Sequence, residues 1–483
     1  SNIKGPRPFT RAAWGMFTGS YSYRNIAGMV FNPVALVKLF LVMSQEGLQS
    51  LVNRRATSHR QLHVGGKKVL ILGSGFGGAY VLRHLVPALN KNENVETTMV
   101  SDENFFLFSP LLHEVAMGRI ETRHIAYPIR RLHWRDRFDF FQANVQKIDL
   151  SRRRVITTRG SFDFDYLVMA LGSVADTSEL DAMRAGKNVF TLKTLQDSRL
   201  IRNHIIGLFE LANSEKEPDR QKQLMTFVVC GGGYTGVQLV TELRDFIYGS
   251  LLRFYSDIDK SNIRIVLVEA YSKIAAELDP KLGAYVMKHL QRTGIEVRLN
   301  SRVTRIGENS VNINGTEVLP TGTIIWVAGV VAHPLIAELP VERDNTGRAL
   351  VNDYMELPGM EGVYAVGDCA YFKDPRSGQP IPPRAHIAVR QARAVAHNIL
   401  ADIRGRARKP YRYADTAEAV SLGSSDAAVR FYGLRLYGLP ARVMWLLGYS
   451  FLVTGTLNRV RIIIDWLLSL VFGRDVTFIK QSK

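Results

Sequence analysis

The chain has 483 residues, of which 46% are hydrophobic, and a formal net charge of +18. This length is more than one hydrophobic core usually holds, so two or three domains are expected. The two cysteines, Cys230 and Cys369, lie far apart in the sequence; they predict neither a disulfide framework nor a metal site, and they favour a reducing, cytoplasm-facing compartment.

The positive charge is concentrated at the two ends of the chain. Residues 1–60 carry eight Lys or Arg and one acid, Glu46, whereas residues 427–483 carry eight Lys or Arg and two acids. Together the two ends supply +13 of the +18. Both ends are also apolar, which favours an anionic membrane surface over a nucleic acid as the partner. No nucleic acid is therefore expected to bind.

Residues 1–66 form an N-terminal extension, and its clearest predicted element is an amphipathic helix over 36–52. Lys38, Gln45 and Gln49 lie near one face of this helix, and apolar residues cover most of the rest. Lys38 interrupts the apolar run well before the ~20 residues that a membrane span needs. We expect the helix to lie on a membrane or a partner; a targeting peptide and packing on the protein's own domains are the alternatives.

A dinucleotide-binding motif follows at residues 67–85. The apolar run 69–72 is typical of a buried parallel strand, and the GxGxxG pattern and a helical pattern come directly after it. Gly73 permits a tight turn, Gly75 admits a pyrophosphate to the backbone, and Gly78 allows the helix to pack closely on the strand. The N-terminus of the helix then faces the phosphates.

Further elements complete this first domain. A second strand at 95–100 precedes Ser101 and Asp102, and either one can take the place of the acid that binds a ribose hydroxyl. The loop at 104–116 is too apolar for a solvent-exposed linker. A later strand ends at Gly367 and Asp368, which places Asp368 to reach the ribityl and phosphate groups of a flavin cofactor.

The same pattern returns at residues 226–248, with a strand, a second GxGxxG and a helix. A following strand at 263–268 ends at Glu269, which can accept both ribose hydroxyls and repel a 2′-phosphate, so NADH is favoured over NADPH. The interval between Gly236 and Glu269 is longer than the usual ~20 residues. We therefore expect the helix to reach about Tyr255. The two units predict one site for FAD and one for a nicotinamide cofactor.

The C-terminal residues 406–483 are expected to form a strand pair at 411–432 and then apolar helices. Between Arg442 and Arg459 lie sixteen uncharged residues, too few for a membrane span. In 460–472 a narrow polar stripe with one predicted ion pair is formed by Arg461, Asp465 and Ser469, and Trp466 is placed for an interface. The segment fits a monotopic membrane anchor and a dimer interface equally well.

These motifs predict an α/β fold with two Rossmann-like dinucleotide-binding domains, as in glutathione-reductase-like flavoproteins, and a C-terminal amphipathic membrane-anchoring helical segment. The FAD-binding domain is expected to comprise residues 67–185 and 321–405. The NADH-binding domain is expected to comprise residues 186–320.

Residues 67–472 resemble the type II NADH:quinone oxidoreductases, which are single-subunit flavoproteins. The glycine loops are common to a wider class, whereas the loop at 105–118 and the basic, apolar C-terminus are more specific. The resemblance implies that a hydride passes from NADH to FAD and that two electrons then reduce a quinone, without proton pumping. It also implies a peripheral protein on the cytoplasmic or matrix side of an energy-transducing membrane, with a possible homodimer or larger complex.

The resemblance further implies which residues bind each cofactor. FAD would be held by Gly73, Gly75, Phe76, Gly77, Gly78, Ser101, Asp102, Pro110, Leu111, Leu112, Gly172, Gly367, Asp368 and Ala385. NADH would be held by Gly231, Gly233, Tyr234, Thr235, Gly236 and Glu269.

Three predicted catalytic residues depart from the family pattern. Gln238 stands where the family typically has a glutamate beside the flavin, and an amide keeps the hydrogen bonds but cannot titrate. His386 and Arg390 replace two glutamines; His386 can shuttle a proton, and Arg390 can stabilise negative charge on the reduced flavin or a quinone oxygen. The alternatives are that both are solvent-facing helix residues, and that the chain is a catalytically diverged FAD-binding subunit of a larger complex.

A sulfide:quinone oxidoreductase is a weaker alternative, because its chemistry needs two apposed thiols, which Cys230 and Cys369 do not offer.

Overall fold

A computed structural model describes residues 66–90, 93–132, 137–183, 188–414 and 417–479. The helix predicted at 36–52, and with it nearly all of the N-terminal extension, lies outside the described residues.

The strands, numbered in chain order, are mostly short and apolar. They are β1 (Lys67–Leu72), β2 (Val95–Ser101), β3 (Phe105–Leu107), β4 (Ala126–Pro128), β5 (Asp139–Gln142), β6 (Val145–Asp149), β7 (Arg154–Thr157), β8 (Gly160–Asp163), β9 (Tyr166–Met169), β10 (Ser173–Ala175), β11 (Val189–Thr191), β12 (Thr226–Cys230), β13 (Arg264–Val268), β14 (Glu296–Arg298), β15 (Val303–Ile306), β16 (Ser310–Ile313), β17 (Glu317–Pro320), β18 (Thr323–Trp326), β19 (Val330–Ala332), β20 (Ala349–Leu350), β21 (Val363–Ala365), β22 (Ala370–Tyr371), β23 (Ala417–Ser421), β24 (Ala427–Phe431) and β25 (Leu434–Tyr437).

The α-helices connect these strands and close the C-terminal segment. They are α1 (Phe76–Leu85), α2 (Leu112–Ala116), α3 (Ser178–Ala182), α4 (Leu195–Ser214), α5 (Pro218–Leu224), α6 (Tyr234–Gly249), α7 (Pro280–Arg292), α8 (Pro334–Ala337), α9 (Ala385–Ile403), α10 (Gly438–Leu452) and α11 (Thr456–Phe472).

Two five-stranded parallel sheets form the centres of the two predicted nucleotide-binding domains. Their strand orders are β21-β9-β1-β2-β5 and β11-β18-β12-β13-β14. The central strands β1 and β12 carry apolar runs because a parallel sheet with helices on its faces is buried on both sides. The predicted α/β fold with two Rossmann-like units is confirmed.

The two domains repeat each other beyond their glycine loops. In each one, an antiparallel meander of three strands leads back into the sheet, β6–β8 before β9 and β15–β17 before β18. The backbone register also matches: Gly73 N–H donates to Val100 O and Gly231 N–H to Val268 O, both at 2.8 Å. Residues of the two domains can therefore be compared position by position.

The chain returns to the first domain later than the sequence predicts. The predicted boundary lies at residue 321, but β18 pairs with β11 and β12 in the second sheet. Its sequence TIIW is fully buried and fits the middle of that sheet. The return then follows through β19, which pairs with β10, and β21, which pairs with β9. The other domain boundaries stay predictions.

The helix after the second glycine loop is shorter than predicted. α6 ends at Gly249 rather than near Tyr255, because Gly249 and Ser250 are poor helix formers. Two 3-10 turns, Leu251–Arg253 and Lys260–Asn262, occupy the rest of the interval before β13. The long spacing to Glu269 is therefore a connection, not a longer helix.

The C-terminal segment begins with a three-stranded antiparallel sheet, β23–β24–β25, where the sequence predicts a strand pair. α10 and α11 follow it. Among the described residues, no helix combines the length and the apolar composition needed to cross a bilayer.

Asp465 and Trp466 of α11 both contact the rest of the protein. Asp465 lies 2.5 Å from His124 Nδ1 and accepts from Glu121 N–H at 3.1 Å, so its partner is not Arg461. Trp466 is only 5% exposed, and its indole N–H donates to Glu114 Oε2 at 2.6 Å. The predicted ion pair of Asp465 with Arg461 and the predicted interface position of Trp466 were both wrong, because residues 114–124 supply partners that no local pattern shows.

Candidate active site

Two positions of the first loop must be glycine because a side chain there would clash with the protein's own backbone. Gly73 has φ +96°, which favours glycine, and a Cβ there would lie 2.3 Å from Ala170 O. A Cβ on Gly78 would lie 1.9 Å from Gly73 O. Gly236 repeats this contact in the second loop, at 1.8 Å from Gly231 O. These glycines allow each helix to pack against the end of its strand.

The middle glycines, Gly75 and Gly233, are not required by the chain. Both have ordinary negative φ angles, of −72° and −69°, and a Cβ on either would meet no atom within 4 Å. Each precedes a helix N-terminus that has no side-chain cap and no acid in its first turn. The open space and the unpaired N–H groups together fit a bound pyrophosphate in each loop.

One cavity of about 1730 Å³ joins the first loop, the start of α6, the start of α9 and α10. The predicted site residues that line it are Gly73, Gly75, Phe76, Gly77, Ser101, Asp102, Pro110, Leu112, Gly172, Gly367, Asp368, Ala385, His386, Arg390, Tyr234, Thr235 and Gln238.

Several predicted site residues do not line this cavity. Leu111 is fully buried in the core, and Gly78 packs on Gly73. The residues of the second loop proper also lie outside it, namely Gly231, Gly233, Gly236 and Glu269. Of the residues predicted to hold NADH, Tyr234 and Thr235, in the first turn of α6, line the cavity.

Asp368 belongs to a polar group that includes a lysine not singled out by the sequence. Asp368 accepts a hydrogen bond from Ser173 Oγ, and Lys193 Nζ lies 3.8 Å from Asp368 and donates to Ser173 Oγ at 2.8 Å. Burial lowers the pKa of Lys193, while Asp368 opposes this effect. In the sequence, Lys193 could have been noticed as a lone lysine between an apolar strand and the Thr194–Asp197 capping box.

Ser101 and Glu269 hold equivalent places in the two domains. The carbonyl of each accepts an N–H from the segment after the next strand, at 2.9 Å in both domains. The Ser101 hydroxyl lies 3.0 Å from Ser74 Oγ. Ser101 thus takes the position that Glu269 has in the second domain. The next residue, Asp102, carries a carboxylate and lines the cavity.

Glu269 is held firmly beside the second glycine loop. Its Oε2 accepts from Gly232 N–H at 2.6 Å, and its Oε1 accepts from Tyr271 N–H at 2.9 Å. A fixed carboxylate at the end of β13 can accept ribose hydroxyls and repels a phosphate group.

Gln238 connects the cavity to two residues that the sequence did not link with it. Gln238 Nε2 donates to Ser421 Oγ at 3.1 Å, and Ser421 Oγ lies 3.2 Å from His113 Nε2. Burial lowers the pKa of His113, so its imidazole is uncharged at neutral pH. With Gln238 as the donor to Ser421, the serine proton can point to His113. The three residues come from α6, β23 and α2, so no sequence spacing predicts the contact.

His386 and Arg390 lie one turn apart near the start of α9, and both line the cavity. Arg390 Nη1 donates to the carbonyl of Ala414. Both side chains are partly buried, which differs from the solvent-facing alternative.

Comparison with known proteins is consistent with this geometry. Residues 67–392 match the pyridine nucleotide-disulphide oxidoreductase family. The chain is 30% identical over 378 residues to the type II NADH:quinone oxidoreductase of Staphylococcus epidermidis, which covers 78% of this chain and 92% of that one. The chain belongs to the type II NADH:quinone oxidoreductase family.

Two further similarities agree with this family. A probable NADH dehydrogenase of Dictyostelium discoideum is 28% identical over 446 residues, which are 90% of this chain and 96% of that one. The fold matches that of NDH2 from Plasmodium falciparum with a TM-score of 0.77 at 19% identity, over 86% of this chain and 100% of that one. The predicted enzyme class, an NADH-dependent oxidoreductase, and the predicted cofactors FAD and NADH are confirmed.

The two cysteines of this chain are separate buried thiols. Burial raises the pKa of Cys230 and of Cys369 to about 12. Cys369 Sγ accepts from Gly172 N–H at 3.1 Å. A thiol–disulfide relay beside the flavin therefore has no pair of reactive thiols.

A buried ionic cluster joins the C-terminal helices to both domains. Glu114 pairs with Arg442 at 2.9 Å, and Glu242 pairs with Arg119 at 3.1 Å and with Arg474 at 2.6 Å. Burial alone would raise the pKa of Glu242, but the three arginines, Arg474 first, lower it to about 2. The cluster holds three cations and two anions, so the loss of either carboxylate would raise the excess of buried positive charge from one to two.

Proposed function

We propose that this protein oxidises NADH and passes the electrons through FAD to a quinone at a membrane surface. The observation that carries the proposal is the shared cavity, in which the first glycine loop, the start of α6 and the apolar helix α10 meet. A single site of this kind brings a nicotinamide, a flavin and a lipid-soluble acceptor within reach of one another.

FAD, when bound, accepts a hydride from NADH and gives two electrons to a quinone. The chain's own residues bind and orient the reactants. Gly75 leaves space for the pyrophosphate of FAD at the N-terminus of α1, and Asp368, held by Ser173 and Lys193, accepts hydrogen bonds from hydroxyl groups. Gly233 and Glu269 do the same for NADH at the N-terminus of α6.

Protons for the quinone oxygens come from groups around the cavity. Gln238 cannot titrate, so it orients a ligand through hydrogen bonds and does not supply a proton. His386 can carry a proton on its imidazole, and Arg390 can stabilise negative charge on a quinone oxygen. His113 is a second imidazole on the cavity wall and contacts Gln238 through the Ser421 hydroxyl.

The C-terminal helices supply the proposed contact with lipid. Met444, Tyr449, Phe451 and Leu452 line the cavity from α10 and its end. Large apolar side chains are exposed on α10 and α11, namely Leu439, Val443, Leu457, Ile463, Ile464, Leu467, Leu468, Leu470, Val471 and Phe472. Such a face supports a peripheral position in which a quinone enters from the bilayer. A dimer interface that buries the same face is the alternative.

We expect anaerobic NADH to bleach the flavin absorbance of the purified protein and a quinone to restore it. NADPH should be at least ~100-fold less effective, because Glu269 repels its 2′-phosphate. Glu269→Gln should reduce this preference by ~10-fold or more, since an amide has no charge to repel the phosphate.

The matched control is Glu308→Gln, which removes an exposed acid elsewhere in the same domain and should leave the preference unchanged. A flavin that stays oxidised with NADH would refute the proposed function. A preference that is the same in Glu269→Gln and wild type would refute only the role of Glu269.

A second candidate function is a catalytically diverged FAD-binding subunit, and Gln238 is the observation that favours it. Under our proposal the isolated chain reduces a soluble quinone, and Gln238→Glu changes the turnover number by less than ~10-fold, below the usual range for a proton-transfer group. The diverged subunit would show almost no turnover, and Gln238→Glu would restore it. Ser421→Ala, which removes the hydroxyl bonded to Gln238, serves as the matched control for a packing effect.

A further inference from the structure

The cavity also has a strongly basic part. Cations from α1, from one face of α9 and from the segment after α9 line it. We define the basic rim as the five residues Arg83, Arg390, Arg393, Lys409 and Arg412.

Three cations of the basic rim form no ion pair with the residues that the structure describes. Arg393, Lys409 and Arg412 are exposed, and none of them lies within 4.0 Å of a carboxylate in the described part of the chain. The pKa values of two histidines near these cations are lowered in part by the positive charge around them. Burial, Arg393 and Arg83 lower the pKa of His84 to about 4, and burial, Lys409 and Arg393 lower that of His397. The region therefore attracts anions.

The basic rim borders the C-terminal helices. Arg83 Nη1 donates to Thr454 Oγ1 at 3.3 Å, and Thr454 lies in the connection between α10 and α11. Arg459, near the start of α11, lines the same cavity. Leu457, beside this connection, is 51% exposed. Cations and exposed apolar side chains thus lie next to each other where the cavity borders the connection between α10 and α11, and we call this side the mouth of the cavity.

We infer that the basic rim binds the phosphate groups of anionic phospholipids and thereby seats the mouth of the cavity on the bilayer. This inference rests on the proposed membrane-surface function. A quinone is uncharged and gives no reason for five cations, and the phosphates of FAD and NADH belong to the first and the second glycine loop. Residues 1–65 carry eight Lys or Arg and one acid, so the basic rim repels them. An anionic headgroup with apolar chains matches both the cations and the exposed apolar face.

The test compares two triple variants of the full-length, FAD-loaded protein in vesicle co-sedimentation. Arg393→Gln/Lys409→Gln/Arg412→Gln removes three cations of the basic rim. Lys147→Gln/Arg159→Gln/Arg305→Gln removes three exposed cations from the two antiparallel meanders. This meander variant therefore has the same net charge as the first triple variant, which we call the rim variant. The vesicles contain phosphatidylcholine alone or with phosphatidylglycerol, and FAD content reports that each variant is folded.

We expect wild type to prefer the anionic vesicles. Each basic residue near an anionic surface contributes a factor of about five, so the rim variant should bind them on the order of 100-fold more weakly. The meander variant should bind the anionic vesicles less than about 10-fold more weakly than wild type does. Equal losses in both variants, or equal binding of wild type to neutral and anionic vesicles, would overturn the inference.

Two further arms separate the remaining explanations. Inorganic phosphate that displaces wild type from anionic vesicles better than chloride does at equal ionic strength would indicate a site for free phosphate and would also overturn the inference. NADH oxidation by wild type with a water-soluble quinone, measured without vesicles, tests the proposed function separately. If wild type does not oxidise NADH, the proposed function is rejected. If wild type oxidises NADH but the rim variant binds anionic vesicles as well as wild type does, only the inference is rejected.

Discussion

Gly75→Ala should give a folded protein that has lost its FAD. The backbone at Gly75, with φ −72° and ψ −165°, suits alanine, and the new Cβ would touch no atom of the chain within 4 Å. It would instead stand in the turn where a pyrophosphate must approach the N–H groups of α1. We expect FAD binding to weaken on the order of 100-fold, which is about 3 kcal/mol. Flavin absorbance per chain after gel filtration measures this loss.

Three other glycines make this test specific. Gly233→Ala has the same geometry in the second loop, so it should keep FAD and lose reduction by NADH. Gly249→Ala, at the end of α6 with nothing within 4 Å of its Cβ, should behave as wild type. Gly78→Ala should fail to fold, because its Cβ would lie 1.9 Å from Gly73 O. Full FAD content in Gly75→Ala, or its loss in Gly233→Ala, would contradict the assignment of the two loops.

Glu114→Gln should be strongly destabilising although glutamine has nearly the same shape. Glu114 pairs with Arg442 at 2.9 Å, lies 3.6 Å from Arg119 and accepts from the Trp466 indole at 2.6 Å, and it is fully buried. Its loss leaves three arginines and one carboxylate in the buried ionic cluster. Removing one partner from such a cluster costs about 3–5 kcal/mol. Denaturant unfolding of the FAD-loaded protein, followed by flavin and tryptophan fluorescence, measures the change.

The double variant Glu114→Gln/Arg442→Met distinguishes charge imbalance from a packing defect. It restores the original excess of one positive charge, so it should be more stable than Glu114→Gln alone. Burial and Arg119 already lower the pKa of Arg442, which shows that its charge is not well compensated. Asp163→Asn, which breaks an exposed pair with Arg154, is the surface control and should be indistinguishable from wild type. A double variant less stable than Glu114→Gln would contradict the electrostatic explanation.

The strand–glycine–helix units could be predicted from the sequence because their determinants are local. Gly73 and Gly78 are five residues apart and touch each other, as do Gly231 and Gly236, so the motif contains its own steric reason. The order of elements then implies two parallel sheets with a helix on each. The same reasoning placed β18 in the wrong domain, because a short apolar strand fits either buried sheet.

Contacts between distant segments could not be predicted in this way. Ser421 lies 183 residues from Gln238, and Asp465 lies 341 residues from His124. The polar stripe of α11 was visible in the sequence, but the helical period gives only a face and not the partner of that face. The sequence predicted an ion pair between Asp465 and Arg461, but Asp465 instead contacts His124 and the backbone N–H of Glu121.

The sequence alone therefore determined the two nucleotide loops, the acid at Glu269 and the amphipathic C-terminus, since each depends on residues within one or two turns of chain. Only the tertiary structure decided that the start of α6 faces the first loop's cavity, that Ser101 takes the place of an acid, and that five buried charges fix the C-terminal helices. Those features depend on the burial of polar groups, and a buried polar group takes whichever partner the packing of the whole chain brings to it.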